Sequence, residues 1–141
     1  MSGSPALYSP RLLGLAVTLA DYPIGERMTL SESVRSRTCG SIVTVAFDPS
    51  DTSKIGISAS ACAVGQAAAA IFVADAEGRE ASSISAAMDA IASWLDDNGP
   101  LPDWADIEAL APAIPHKGRH EAILLPWKAA AVALSKGVTA G

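Results

Sequence analysis

The order of elements along this chain predicts an α+β fold, a small antiparallel sheet with helices packed on one face. Three observations carry that reading. The stretch "SIVTVAFD", residues 41–48, alternates: Ile42, Thr44 and Ala46 face one way and Val43, Val45 and Phe47 the other, with the β-branched content of a strand. After the turn-forming "PSDTSK", the run "IGISASA" reads as a second strand, so the pair forms a hairpin. On either side of that hairpin lie stretches of helical character, which places helices against an antiparallel sheet.

Each element has its own justification. Residues 6–20 form a first helix, with Ser9 as the cap and Pro10 in the first turn. The run "RLLGLAVTLA" inside it also has the outline of a signal-peptide core. Leu19 and Asp21 stand where a cleavage site needs small residues, so an amphipathic helix is the expectation. Residues 21–38 mix turn formers with polar residues and read as irregular, with a short strand near Ser33 to Arg37. At Cys62 the pattern changes to helix, because alanine is the best helix former; the run ends at Gly78. "SSISAAMDAIASWLDDNG" is a longer helix with Ile84, Met88, Ile91 and Leu95 on one face, stopped by Asn98-Gly99-Pro100. "PDWADIEAL" is a short helix, "APAIPHKG" a loop, and "RHEAILLPWKAAAVAL" a last helical stretch interrupted or restarted at Pro126. No internal repeat is present, and residues 1–141 are expected to form a single domain.

Composition narrows the function. Half of the residues are hydrophobic but only 5% are aromatic, so alanine, valine, leucine and isoleucine must fill the interior. A net charge of −5 argues against nucleic acid, whose phosphates call for a basic face. No stretch approaches the roughly 20 apolar residues of a membrane span. "GISAS" lacks the second glycine of a nucleophile elbow, and no phosphate loop or dinucleotide fingerprint occurs. A conventional turnover enzyme is not expected, and no catalytic residue is assigned. Two cysteines make no disulfide framework; reduced thiols in the cytoplasm are the simpler expectation.

Cys39 precedes the first strand of the hairpin and Cys62 follows the second, and in a hairpin those two ends lie side by side. Helix starts favour thiolate over thiol, Cys62 stands at one, and Arg35 and Arg37 lie close to Cys39 in sequence. Two thiolates at one sheet edge are half of a tetrahedral metal site; two small buried hydrophobes are the alternative, and spacing alone leaves both open. Gln66, one turn after Cys62, points to the same side, either supporting a ligand or as polar filler. His116, between Pro115 and Gly118, reads as a loop residue and not a ligand.

The combination "TCGSIVTVAFDP…KIGISASACAVGQAAAA" resembles the core of the NifU-type iron–sulfur cluster assembly scaffolds, the IscU and SufU group. "GRHEAILLPWKAAAVAL" is similar to that family's "R-x-x-C-A-x-L-x-W-x-A-L" segment through Arg119, Ala122, Leu124, Leu125, Pro126, Trp127 and Ala129. "LYSPRLL…DYPIGE" is similar to its first helix and following loop. The long interval between Cys62 and the third segment looks more like the SufU branch. The chain departs from the pattern twice: Ser41 replaces the aspartate of Cys-Gly-Asp, and Glu121 stands where the third cysteine falls.

The resemblance implies a ligand set of Cys39, Cys62, His120 and Glu121, with Ser41 and Gln66 behind it. It implies a scaffold or sulfur acceptor that transiently binds iron or an iron–sulfur cluster, with a cysteine desulfurase and apo iron–sulfur proteins as partners. The alternative is a divergent zinc-binding interaction module that modulates a desulfurase without building clusters. Between Asp75 and Glu108 stand nine acidic residues and one basic, Arg79; they are either a solvated face or a docking surface for such a partner.

Overall fold

Strands β1 (Leu30–Arg35), β2 (Ile42–Asp48) and β3 (Asp51–Ser60) form one antiparallel sheet in the order β1-β2-β3. The structure, a computed structural model, describes residues 9–37, 40–96 and 99–140, with side chains to residue 136. Val43, Val45 and Phe47 are at most 1% exposed and join the core, while Ile42 and Thr44 on the other face are only half-buried, as the alternation predicts. β1 begins earlier than the sequence suggested. Its "LSESVR" has weak strand propensity, and the pairing that runs from Leu30↔Phe47 to Arg35↔Ile42 overrides it.

The hairpin loop is shorter than "PSDTSK". Asp48 pairs with Asp51 across Pro49-Ser50, and Thr52, Ser53 and Lys54 are taken up as an irregularity before Phe47↔Ile55. The turn-forming side chains satisfy themselves locally. Asp48 Oδ1 accepts from Ser50 Oγ (2.7 Å) and Ser50 N–H (2.9 Å), and Asp51 Oδ1 accepts from Ser53 Oγ (2.6 Å) and N–H (3.2 Å). The serine hydroxyls first, then the amides, hold both carboxyls below the usual carboxylate range. A carboxyl depressed in the folded state contributes its stability above the unfolded pKa of about 3.9, and loses it as pH falls through the lower folded value. Asp48→Asn is therefore expected to lower the urea midpoint at pH 7, with the difference from wild type shrinking by pH 2.5.

α1 (Pro10–Val17) is capped as expected, with Ser9 Oγ accepting from Leu12 N–H at 3.1 Å. It tightens into a 3-10 turn at Thr18–Asp21, and the predicted residues 6–8 lie outside the described residues. α2 (Ala63–Ala74) is buried almost all round, and Ala67, Ala68, Ala69 and Ala70 are at most 1% exposed. Small side chains let its neighbours approach closely on every side. α2 stops before Gly78, where Asp75 N–H turns to the Phe72 carbonyl. α3 (Ala81–Leu95) buries Ile84, Ile91 and Leu95, with Met88 half-buried on the same face.

"PDWADIEAL" forms no α-helix. Asp106 sits in the left-handed region at φ 66°, and Pro112 lies inside the 3-10 run Ile107–Ala113 that extends into the predicted loop. α4 (His120–Ala140) passes through Pro126 unbroken. The proline removes one helical N–H, a cost of about 3 kcal/mol or more, but α4 packs on α3, α2, β1 and β2 at once, and Leu125 and Trp127 beside the proline are at most 2% exposed. No helix of the described residues is long and apolar enough to cross a membrane.

The loop between α1 and β1 crosses the outer face of the sheet at Gly56. A Cβ there would lie 2.6 Å from the Pro23 carbonyl oxygen and 2.7 Å from Ile24 Cα. Both obstacles are backbone, so no rotamer change relieves them. Gly56→Ala is expected to cost about 1–3 kcal/mol, read as a lower urea midpoint.

Candidate functional site

Three segments meet at one end of the sheet: the β1–β2 connection, the start of α2 and the start of α4. The register places them there. Arg35↔Ile42↔Ser60 is the last row of the sheet, and Ser36 N–H extends the ladder by donating to the Ser41 carbonyl at 2.7 Å. Gly40 adopts φ 74°, a left-handed backbone that favours glycine, so the turn after position 39 depends on it. Cys39 itself lies outside the described residues.

Cys62 is the cap residue of α2, an unbridged and half-buried thiol. Two hydrogen bonds set the turn that presents it. Gln66 N–H donates to the Cys62 carbonyl at 2.9 Å, and Gln66 Nε2 donates to the Ala61 carbonyl at 3.1 Å. The Gln66 side chain thus braces the strand-to-helix corner. Gly65 leaves room for the packing: a Cβ built on it would come 2.8 Å from Ala61 Cβ, 3.9 Å from Ala122 Cβ and 4.0 Å from Cys62 Sγ. The Cys62 sulfur and Ala122, the neighbour of Glu121, therefore flank the same small space.

Glu121 is tied to the β1–β2 connection. Its Oε1 accepts from Ser36 Oγ at 3.0 Å and from Arg37 N–H at 2.9 Å, and the Arg37 Nε lies 3.7 Å from Oε2. Ser36 and Ser41 are both buried, at 2% and 4% exposure. His120 turns to another segment. Its Nε2 lies 3.0 Å from the carbonyls of both Ala113 and Ile114, so that nitrogen carries the proton, and Nδ1 is the remaining ring nitrogen, 3.8 Å from Asp96 Oδ1. His116 is exposed beside the Lys117–Arg119 turn, as its loop reading implied.

Among the described residues no three His, Cys, Asp or Glu side chains gather as a metal-holding group, so Cys62, His120 and Glu121 do not form one by themselves. Sequence reasoning missed Ser36 and Gly65. Ser36 sits in a polar run with no pattern to mark it, and the role of Gly65 depends on where α4 packs.

The three-stranded antiparallel sheet with helices on one face is the fold of solved NifU-like and SufU proteins, as the sequence resemblance implied. The chain is similar to a nitrogen-fixing NifU-like protein (N-terminal part) from Brucella abortus, with 27% identity and a TM-score of 0.79, covering 99% of each chain. It also matches an iron–sulfur cluster assembly scaffold protein for the SUF system from the thermophile Fervidobacterium islandicum AW-1, with 20% identity and a TM-score of 0.78, covering 94% of this chain and 99% of that one. No family model and no curated protein matches the chain.

Proposed function

We propose that this chain is an iron–sulfur cluster assembly scaffold that transiently holds iron or a cluster at the end of the sheet where Cys62 caps α2. The observation that supports it most is the agreement of fold over the whole chain with a NifU-like protein, together with the placement of Cys62 beside the start of α4. Cys62 supplies a thiolate and Glu121 a carboxylate. Oε1 of Glu121 holds the β1–β2 connection, and Oε2 faces Arg37 Nε at 3.7 Å. Cys39 joins the set through its place at the head of β2, and His120, whose Nδ1 faces Asp96, would have to turn to join it. Sulfur and nitrogen ligands suit iron and zinc, and a carboxylate is acceptable to both.

In this reading a cysteine desulfurase supplies sulfur to Cys39 or Cys62, since Glu121 carries no sulfur, and apo iron–sulfur proteins receive the cluster. The carboxylate at 121 favours a second reading, a zinc-binding module that modulates a desulfurase without assembling clusters. Anaerobic incubation with iron and sulfide, followed by visible absorbance and quantification of iron, sulfide and zinc on one sample, decides between them. The scaffold reading expects a sulfide-dependent colour. A colourless, sulfide-free protein that retains zinc establishes the second reading and overturns the first.

A further inference from the structure

β3 is an edge strand, and part of its free edge is open. Ile57 N–H stays out of the ladder with β2 and donates to the Tyr22 carbonyl at 2.9 Å. Backbone direction alternates along an antiparallel strand, so Ala59, two residues on, turns its N–H and C=O to the same side. Among the described residues no backbone group pairs with Ala59 there. Beside this open edge runs a groove of about 630 Å³, lined by Ala16, Val17, Leu19, Ala20, Pro23 and Ile24. Val17 is 75% exposed and Ile24 40%, so two of the large hydrophobic side chains that the fold leaves in water stand on this one groove. Gln66, which fixes the Cys62 corner, lines it as well.

We propose that this groove docks an extended apolar segment of a protein partner, which adds to β3 as a fourth strand. The open backbone groups select the occupant. A compact apolar ligand covering the groove would strip water from the Ala59 N–H and C=O and leave them unpaired, a cost of about 1–3 kcal/mol for each such group. An extended peptide pairs them while the apolar walls receive alternate side chains. A symmetric pairing with β3 of a second copy suits the edge poorly, because Tyr22 already occupies Ile57 N–H in the middle of the strand. The net charge of −5 favours a segment with flanking cations. The proposal is independent of what Cys62 holds.

The probe is a fluorescein-labelled peptide of alternating valine and threonine flanked by lysines, titrated by fluorescence anisotropy, with an N-methylated copy as control. The parent peptide is expected to bind, and the N-methylated copy at least tenfold more weakly. Val17→Glu, at an exposed position, is expected to weaken binding at least tenfold with an unchanged circular dichroism spectrum and melting temperature. Ala59→Pro removes an N–H that the β2–β3 ladder does not use and is expected to weaken binding severalfold. No binding of the parent peptide overturns the proposal, as does equal binding of the N-methylated copy or wild-type affinity in Val17→Glu. Self-association in sedimentation velocity that Val17→Glu abolishes assigns the groove to a second copy and likewise overturns it.

Discussion

Trp127→Ala is expected to destabilise the protein by about 3–5 kcal/mol, enough to threaten folding of a domain this size. Trp127 is fully buried on α4 and lies edge-on to both Phe72 and Trp104, with ring centroids 5.3 Å away in each case. Phe72 and Trp104 stack at 5.7 Å, so the three rings join α2, α4 and the segment before the 3-10 run. In a core filled mostly by alanine and aliphatic side chains, no small neighbour can fill the cavity such a truncation leaves. The two tryptophans nevertheless differ. Trp104 Nε1 donates to the Ile71 carbonyl at 2.9 Å, satisfying one of the carbonyls left open at the end of α2, and Arg79 lies 4.0 Å over its ring. Trp127 Nε1 is buried with no hydrogen-bond partner among the described residues. Trp104→Phe forfeits a made hydrogen bond, whereas Trp127→Phe removes a donor that has none. The expected order of urea midpoints is therefore wild type, Trp127→Phe, Trp104→Phe, Trp127→Ala. A Trp127→Phe variant less stable than Trp104→Phe would refute the account.

The parts of the fold that were legible in the sequence are those where local pattern and tertiary packing agree. The Val43, Val45 and Phe47 face of β2, the Ser9 cap and the change to helix at Cys62 all appear where the pattern puts them. Legibility failed where partners distant in sequence decide. "LSESVR" becomes a strand because β2 pairs with it, and α4 runs through Pro126 because four elements bury it. The loop over Gly56 is invisible in sequence, since a single glycine in "IGISAS" looks like any strand glycine until Pro23 is known to lie against it. The hairpin logic put Cys62 just past the second strand of the hairpin, where it caps α2, and its pairing with Cys39 lies outside the described residues. The tether from Glu121 to Ser36 and Arg37 spans 85 and 84 residues and has no local signature. His120 stood in the implied ligand set, but its bonds to the Ala113 and Ile114 carbonyls depend on where a 3-10 run ends inside the predicted loop.

Cys62→Ser and Glu121→Cys are expected to move cluster retention in opposite directions, and the contrast follows from the two jobs of the α4 start. Cys62 is the described thiol of the site, and a serine hydroxyl is a far poorer ligand for soft iron. Cys62→Ser should therefore lose the sulfide-dependent absorbance that the scaffold reading expects of the reconstituted wild type. Glu121→Cys restores a third thiolate beside Cys62, but it also removes the acceptor for Ser36 Oγ and Arg37 N–H. Losing this hydrogen bond to the buried Ser36 costs about 0.5–1.5 kcal/mol, so this variant should melt lower than wild type when free of metal. Once loaded, it should resist a chelator on the order of tenfold longer, because the added thiolate outweighs the lost tether. Glu121→Ala separates the two effects, since it loses tether and ligand together. It should match Glu121→Cys in metal-free melting temperature and release its cluster faster than wild type. If Cys62→Ser colours as strongly as wild type, the cluster is held elsewhere. If Glu121→Ala releases iron and sulfide at the wild-type rate, the carboxylate serves only to hold the β1–β2 connection.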